Sequence, residues 1–143
     1  EIFKSQDPDL FDVTFEIEGK KLYADKYVLS TISEPFGALF SNRWAKTDEI
    51  IKIENYSFDN FYQFLSFIYS GECEINEENV TVMVDLAEYY DIAVLKKCCD
   101  ENLAKLECEM DKFLEMLELA QTYSLTAFLT ILNKFAVFHF HTM

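Results

Sequence analysis

The chain is short of glycine, proline and positive charge, and each shortage removes a class of function. Three glycines and two prolines in 143 residues leave no phosphate-cradling loop of the GxxxxGK or GxGxxG kind, which disfavours nucleotide chemistry. No linker rich in proline, glycine or serine interrupts the sequence, so one compact unit without repeats or low-complexity segments is predicted. Twelve basic residues face 26 acidic ones, a formal net charge of −14. Such a chain repels phosphate backbones and anionic bilayers at long range, so neither nucleic acid nor membrane is an expected partner. Apolar runs stay far below the length of a membrane span, and no basic segment followed by an apolar one opens the sequence. A cytoplasmic or nuclear location is expected.

Reactive side chains are equally sparse. The cysteines are Cys73, Cys98, Cys99 and Cys108, and no pair has the two-residue gap of a metal knuckle or redox motif. They read as small thiols in a reducing compartment. His139 and His141 stand within the last five residues, away from any cysteine or carboxylate cluster. A metal site is not expected there, and a serine triad would need the tail to fold back over the domain. Acidic pairs such as Glu77-Glu78 and Glu107-Glu109 fall in polar helix starts or turns, where solvated charge is the ordinary outcome. Neither catalysis nor a cofactor is expected.

What the chain has is apolar patterning and 14 phenylalanines. Val13, Phe15 and Ile17 alternate with polar residues as in a half-buried strand, Gly19-Lys20 turns the chain, and Lys21 to Ala24 returns as a hairpin. From Lys26 the spacing is helical, with Val28, Leu29 and Ile32 on one side, and Ser33 with Pro35 starts a second helix carrying Phe36, Leu39 and Phe40. After a polar loop, Ile50, Ile51 and Ile53 form a strand. Ser57 caps a helix with Phe58, Phe61, Phe64, Leu65 and Ile68 on one face and Gly71 as its left-handed stop. Asn76 begins another with Val80, Met83, Val84 and Ala87, and Leu95, Cys98, Cys99 and Leu103 mark the next. Two more carry Phe113, Met116, Leu117 and Ala120, then Phe128, Ile131, Leu132 and Phe135. Phe3, Leu10, Phe11 and Trp44 lie outside these periodic patterns and are either core or part of a partner surface.

Several segments together resemble the BTB/POZ family. Asp12-Val13-Thr14-Phe15, Gly19 to Leu22, Ala24-Asp25-Lys26-Tyr27-Val28-Leu29, Ser33-Glu34-Pro35-Phe36 and Leu39-Phe40-Ser41 follow the order and spacing of its opening. Phe67-Ile68-Tyr69-Ser70-Gly71-Glu72 is similar to its F-I-Y-T/S-G helix end, and Leu86-Ala87 with Tyr89-Tyr90 to its L-A-x-x-Y helix. The stretch from Phe113 to Leu125 resembles the helical pair that follows many such domains, as a three-box or the start of a BACK domain. The resemblance implies an α+β fold, a small sheet with a cluster of helices over residues 1–106, followed by a helical hairpin over 107–143.

The same resemblance implies an adaptor that links substrates to a cullin-RING ubiquitin ligase through the third cullin, or alternatively a self-associating scaffold that never touches a cullin. Phe40, Trp44, Ala45 and Lys46 match the cullin-binding loop, but Lys46 stands where that family carries glutamate. Ile2, Phe3, Leu10, Phe11 and Val28 are the candidate dimer contacts, Val28 because the matching position in relatives faces the partner, and Asp12 with Lys26 matches an acid–base pair partly buried in relatives. Asp25 replaces a usual histidine, and only eleven residues, Pro8 among them, precede Asp12 where relatives have a dimerising helix. A weaker dimer or a monomer is expected.

Overall fold

The hairpin forms where alternation demands it. In the computed structural model, which describes residues 2–41, 50–72, 74–107 and 109–140, strand β1 (Val13–Ile17) pairs antiparallel with β2 (Lys20–Ala24). Val13, Phe15, Ile17, Leu22 and Ala24 are all buried. The two-residue turn is Glu18-Gly19 rather than Gly19-Lys20: both residues have positive φ, 54° and 77°, the handedness that matches the strand twist. Lys20 is thereby left free to pair with Ile17. Strand β3 (Ile50–Ile53) adds parallel to β1, giving the order β2-β1-β3.

Contacts divide the chain into two compact units where the sequence predicts one. Residues 1–74 with 89–92 form the first, and residues 75–88 with 93–143 the second. Within the second unit the segment 75–88 is joined to later residues by the pairs Asp85–Tyr123, Glu88–Lys96 and Glu77–Lys112.

In the first unit, helix α1 (Ile2–Ser5), a 3-10 turn (Pro8–Leu10), α2 (Lys26–Ile32), α3 (Glu34–Ser41) and α4 (Phe58–Ser70) accompany the sheet. The apolar spacing of α2 does not by itself decide its burial: Leu29 and Lys26 are inside, Val28 is half-buried, and Ile32 is 37% exposed. Ser33 opens α3, its hydroxyl accepting from the Phe36 N–H at 3.2 Å and donating to the Tyr90 carbonyl at 2.6 Å. Phe36 then lies face to face with Tyr90, ring centroids 4.1 Å apart, and stacks on Phe40 at 5.8 Å. Phe15, Phe61 and Phe64 complete this aromatic centre. Helix α4 has the expected ends. Ser57 accepts from the Asn60 N–H, the Glu18 carboxylate accepts from the Phe58 N–H, and Gly71 closes the helix at φ 77°, a conformation glycine enters without a Cβ penalty.

The second unit holds α5 (Val80–Tyr89), whose last residue belongs to the first, with α6 (Ala93–Lys105), α7 (Phe113–Thr122) and α8 (Thr126–Phe140). Asn76 starts α5 as its side chain predicts, accepting from the Glu78 and Asn79 N–H groups at 2.9 Å each. Helix α8 packs against α6 and α7; Phe128 and Leu132 of α8 are buried, as are Leu103 of α6 and Ala120 of α7. Of the adjacent cysteines, Cys99 is buried and Cys98 half-buried, as the helical rotation between neighbours requires. Cys73 and Cys108 lie outside the described residues.

Candidate functional site

In the first unit the residues expected at a partner surface separate into two groups. Ile2 is 65% exposed and Leu10 52%, with Phe11 and Val28 half-buried. Phe3 differs: it is 1% exposed, stacked on Tyr69 with centroids 4.6 Å apart and edge-on to Phe11 at 6.4 Å. Its ring is core of its own chain. The amphipathic turn α1 places it there, since Ile2, Lys4 and Ser5 stay exposed while Phe3 turns inward. Tyr27, at 75% exposure, is a surface aromatic that apolar spacing did not single out.

Asp12 and Lys26 meet differently from a buried ion pair. Lys26 is buried but Asp12 is at the surface, and the Asp12 carboxylate accepts from the backbone N–H of Lys26 at 2.8 Å. Asp25 occupies the N-cap position of α2 without capping it by its side chain. Asp12 therefore closes the helix start from fourteen residues upstream, where a carboxylate also complements the helix dipole. Asp25 instead accepts from the Tyr69 hydroxyl at 3.1 Å, and that hydroxyl accepts from the Asp25 N–H at 2.8 Å. Burial, outweighing the Tyr69 hydrogen bond and aided by the Asp12 charge, raises the Asp25 carboxyl above its ordinary value. Replacing Asp12 by alanine is expected to lower stability by about 1–2 kcal/mol, the scale of a lost charged cap. A chemical-denaturation midpoint equal to wild type would show the cap contributes nothing.

The cullin-loop residues divide as well. Phe40 is fully buried under Phe36, so a partner reaches it only by displacing core. Trp44, Ala45 and Lys46 lie outside the described residues.

The second unit contains a concave site that the sequence did not announce. A cavity of about 170 Å³ opens between α5, α6, α7 and α8. Its floor is apolar, from Val80, Leu103, Met116 and Phe128, while Glu77, Glu107, Glu109 and Glu115 ring it, with Lys112 the one cation among the described lining residues. Glu77 and Lys112 approach to 3.9 Å with both side chains more than half exposed, an ion pair worth little in water. The rim is thus net acidic and suited to an apolar side chain carried on a basic segment. Nearby, Asp100 holds the start of α8: its carboxylate accepts from the Ala127 and Phe128 N–H groups at 3.0 and 2.8 Å. Among the described residues no group of three His, Cys, Asp or Glu side chains is placed to hold a metal ion, and none of the described helices is long and apolar enough to cross a membrane.

The chain is 32% identical over 134 residues to armadillo BTB Arabidopsis protein 1 of Arabidopsis thaliana, covering 93% of this chain and 18% of that protein. It is 30% identical over 138 residues to human Kelch-like protein 24, covering 92% of this chain and 22% of that protein. The chain therefore spans about a fifth of the curated relatives it matches. Its fold is similar to the BTB domain of human gigaxonin (TM-score 0.60, 20% identity, 70% of this chain and 82% of that one). It is likewise similar to the BTB domain of zebrafish PATZ1 (TM-score 0.62, 20% identity, 73% and 87%). The sequence profile of the BTB/POZ domain matches residues 2–107, and the chain belongs to the BTB/POZ family of protein-interaction domains.

Proposed function

We propose that this chain is an adaptor whose BTB/POZ domain, residues 1–106, and following hairpin, residues 107–143 as a three-box or partial BACK, dock a substrate-recognition region onto the third cullin. The observation that carries this reading is the acid-rimmed apolar cavity between α5, α6, α7 and α8. It has the size to seat one large side chain and the charge to attract a basic segment. Trp44 supplies an aromatic anchor of the type enriched at binding hot spots, and Lys46 weakens the contact because an ammonium has no acceptor to offer the partner.

Calorimetric titration against the N-terminal region of that cullin is expected to show weak binding by the wild type, about tenfold tighter binding by Lys46→Glu, and loss of binding by Trp44→Ala with the fold intact. Absence of binding by both wild type and Lys46→Glu would eliminate the cullin reading. A self-associating scaffold would then take its place, favoured by the exposed Ile2, Leu10 and Tyr27. No enzymatic role enters either reading.

A further inference from the structure

Among the described residues strand β2 stands at the edge of the sheet, and one side chain pairs with it there. The Gln6 carboxamide oxygen accepts from the Tyr23 N–H at 2.8 Å, and the Gln6 amide nitrogen donates to the Tyr23 carbonyl at 3.1 Å. A carboxamide carries one acceptor and donors in one plane, as a peptide group does. Gln6 therefore meets Tyr23 as the backbone of a neighbouring strand would. The same amide nitrogen donates to the Phe3 carbonyl at 2.9 Å, tying α1 to this edge, while the Phe3 ring is anchored separately against Tyr69 and Tyr62. The Gln6 backbone takes φ +48°, a left-handed conformation that residues other than glycine adopt infrequently.

Exposed strand edges template pairing with further chains, and folded proteins close them with charge or cover. The β2 edge shows both devices: Lys20 and Lys21 are exposed at its start, and Gln6 occupies Tyr23 further along. We propose that Gln6 is an edge cap, a side-chain surrogate for a strand, which fastens residues 2–6 over β2 and keeps that edge from adding an extended strand of a second copy of this chain.

Hydrogen exchange read at single amides on the full chain tests this. Gln6→Ala is expected to speed exchange of the Tyr23 amide about tenfold or more while the Phe15 amide of the central strand stays protected. Light scattering is expected to show mass rising with concentration further for Gln6→Ala than for wild type, beyond any dimer the wild type forms. An unchanged Tyr23 amide in folded Gln6→Ala would overturn the proposal, as would faster exchange without association beyond that of wild type at any concentration reached. If Gln6→Ala unfolds the unit, every strand amide accelerates together and Gln6→Glu carries the test. That variant keeps the acceptor and loses the donor, so it is expected to retain Tyr23 amide protection more nearly than Gln6→Ala and to associate less. Equal loss of Tyr23 protection alone in both variants would assign the effect to the missing donor and overturn the two-point pairing.

Discussion

Replacing Phe36 by alanine is expected to lower the stability of the chain by about 3–5 kcal/mol, the range for deleting a fully buried aromatic ring. Phe36 has no exposed surface. Its ring is sandwiched between Tyr90 at 4.1 Å and Phe40 at 5.8 Å, both within about ten degrees of parallel, with Phe15 edge-on at 6.1 Å. No single neighbour can collapse into the space without leaving its own partner, so most of the cavity persists. Phe36→Leu keeps volume and loses the ring contacts, and is expected to cost about 1–2 kcal/mol. Urea denaturation separates the two; a loss below 1 kcal/mol for Phe36→Ala would mean that the aromatic centre is plastic.

The same centre sets an alkaline limit. Burial, with the neighbouring Tyr89 adding to it, pushes the Tyr90 phenol up to about 12 from an ordinary 10. A phenol held neutral in the folded state stabilises it fully below pH 10, and that contribution is lost as pH rises towards 12. Opening the stack with Phe36→Ala admits water to Tyr90, so spectrophotometric titration of the variant is expected to move this phenol back towards 10.

Asp100→Ala is the second large effect, expected to cost about 2–3 kcal/mol by the same denaturation measurement. Asp100 is 8% exposed and takes two N–H groups of the first turn of α8 at once. The residue before that helix is Leu125, which has no side-chain acceptor. Without Asp100 both donors lose this acceptor, the Phe128 N–H in a buried position and the Ala127 N–H in a part-buried one. Asp100→Asn retains one acceptor without the charge and is expected to recover about half of the loss. Equal stability of Asp100→Ala and wild type would show that water replaces the carboxylate.

What could be read from the sequence was whatever depends on near neighbours. Ser57 and Gly71 bracket α4 as their side chains and backbone freedom predict, and the alternation of Val13, Phe15 and Ile17 fixed one face of the hairpin before any contact was known. The family followed from ordered local motifs for the same reason. Illegible were features whose two halves are far apart in the chain. Asp12 and Glu18 cap helices that begin 14 and 40 residues later, Asp100 takes amides 27 and 28 residues later, and nothing in the spacing of these carboxylates distinguishes them from solvated ones. Gln6 gave no signal at all, because its partner is backbone. Phe3 stayed open between core and partner surface because a single turn is too short to show a period. The acidic cavity was hidden since its rim comes from three separate helix ends.

Capping at a distance alters how the chain can be taken apart. A cut at residue 107, the natural place to detach the final hairpin by sequence, would leave Asp100 on one piece and the Ala127 and Phe128 amides on the other. The excised hairpin would start its longer helix bare, and the remaining piece would keep a carboxylate shaped for an absent partner. Modularity here is a property of hydrogen-bond ownership: the hairpin travels intact only when α6 travels with it, and shuffling of such segments between proteins would select for junctions upstream of Asp100.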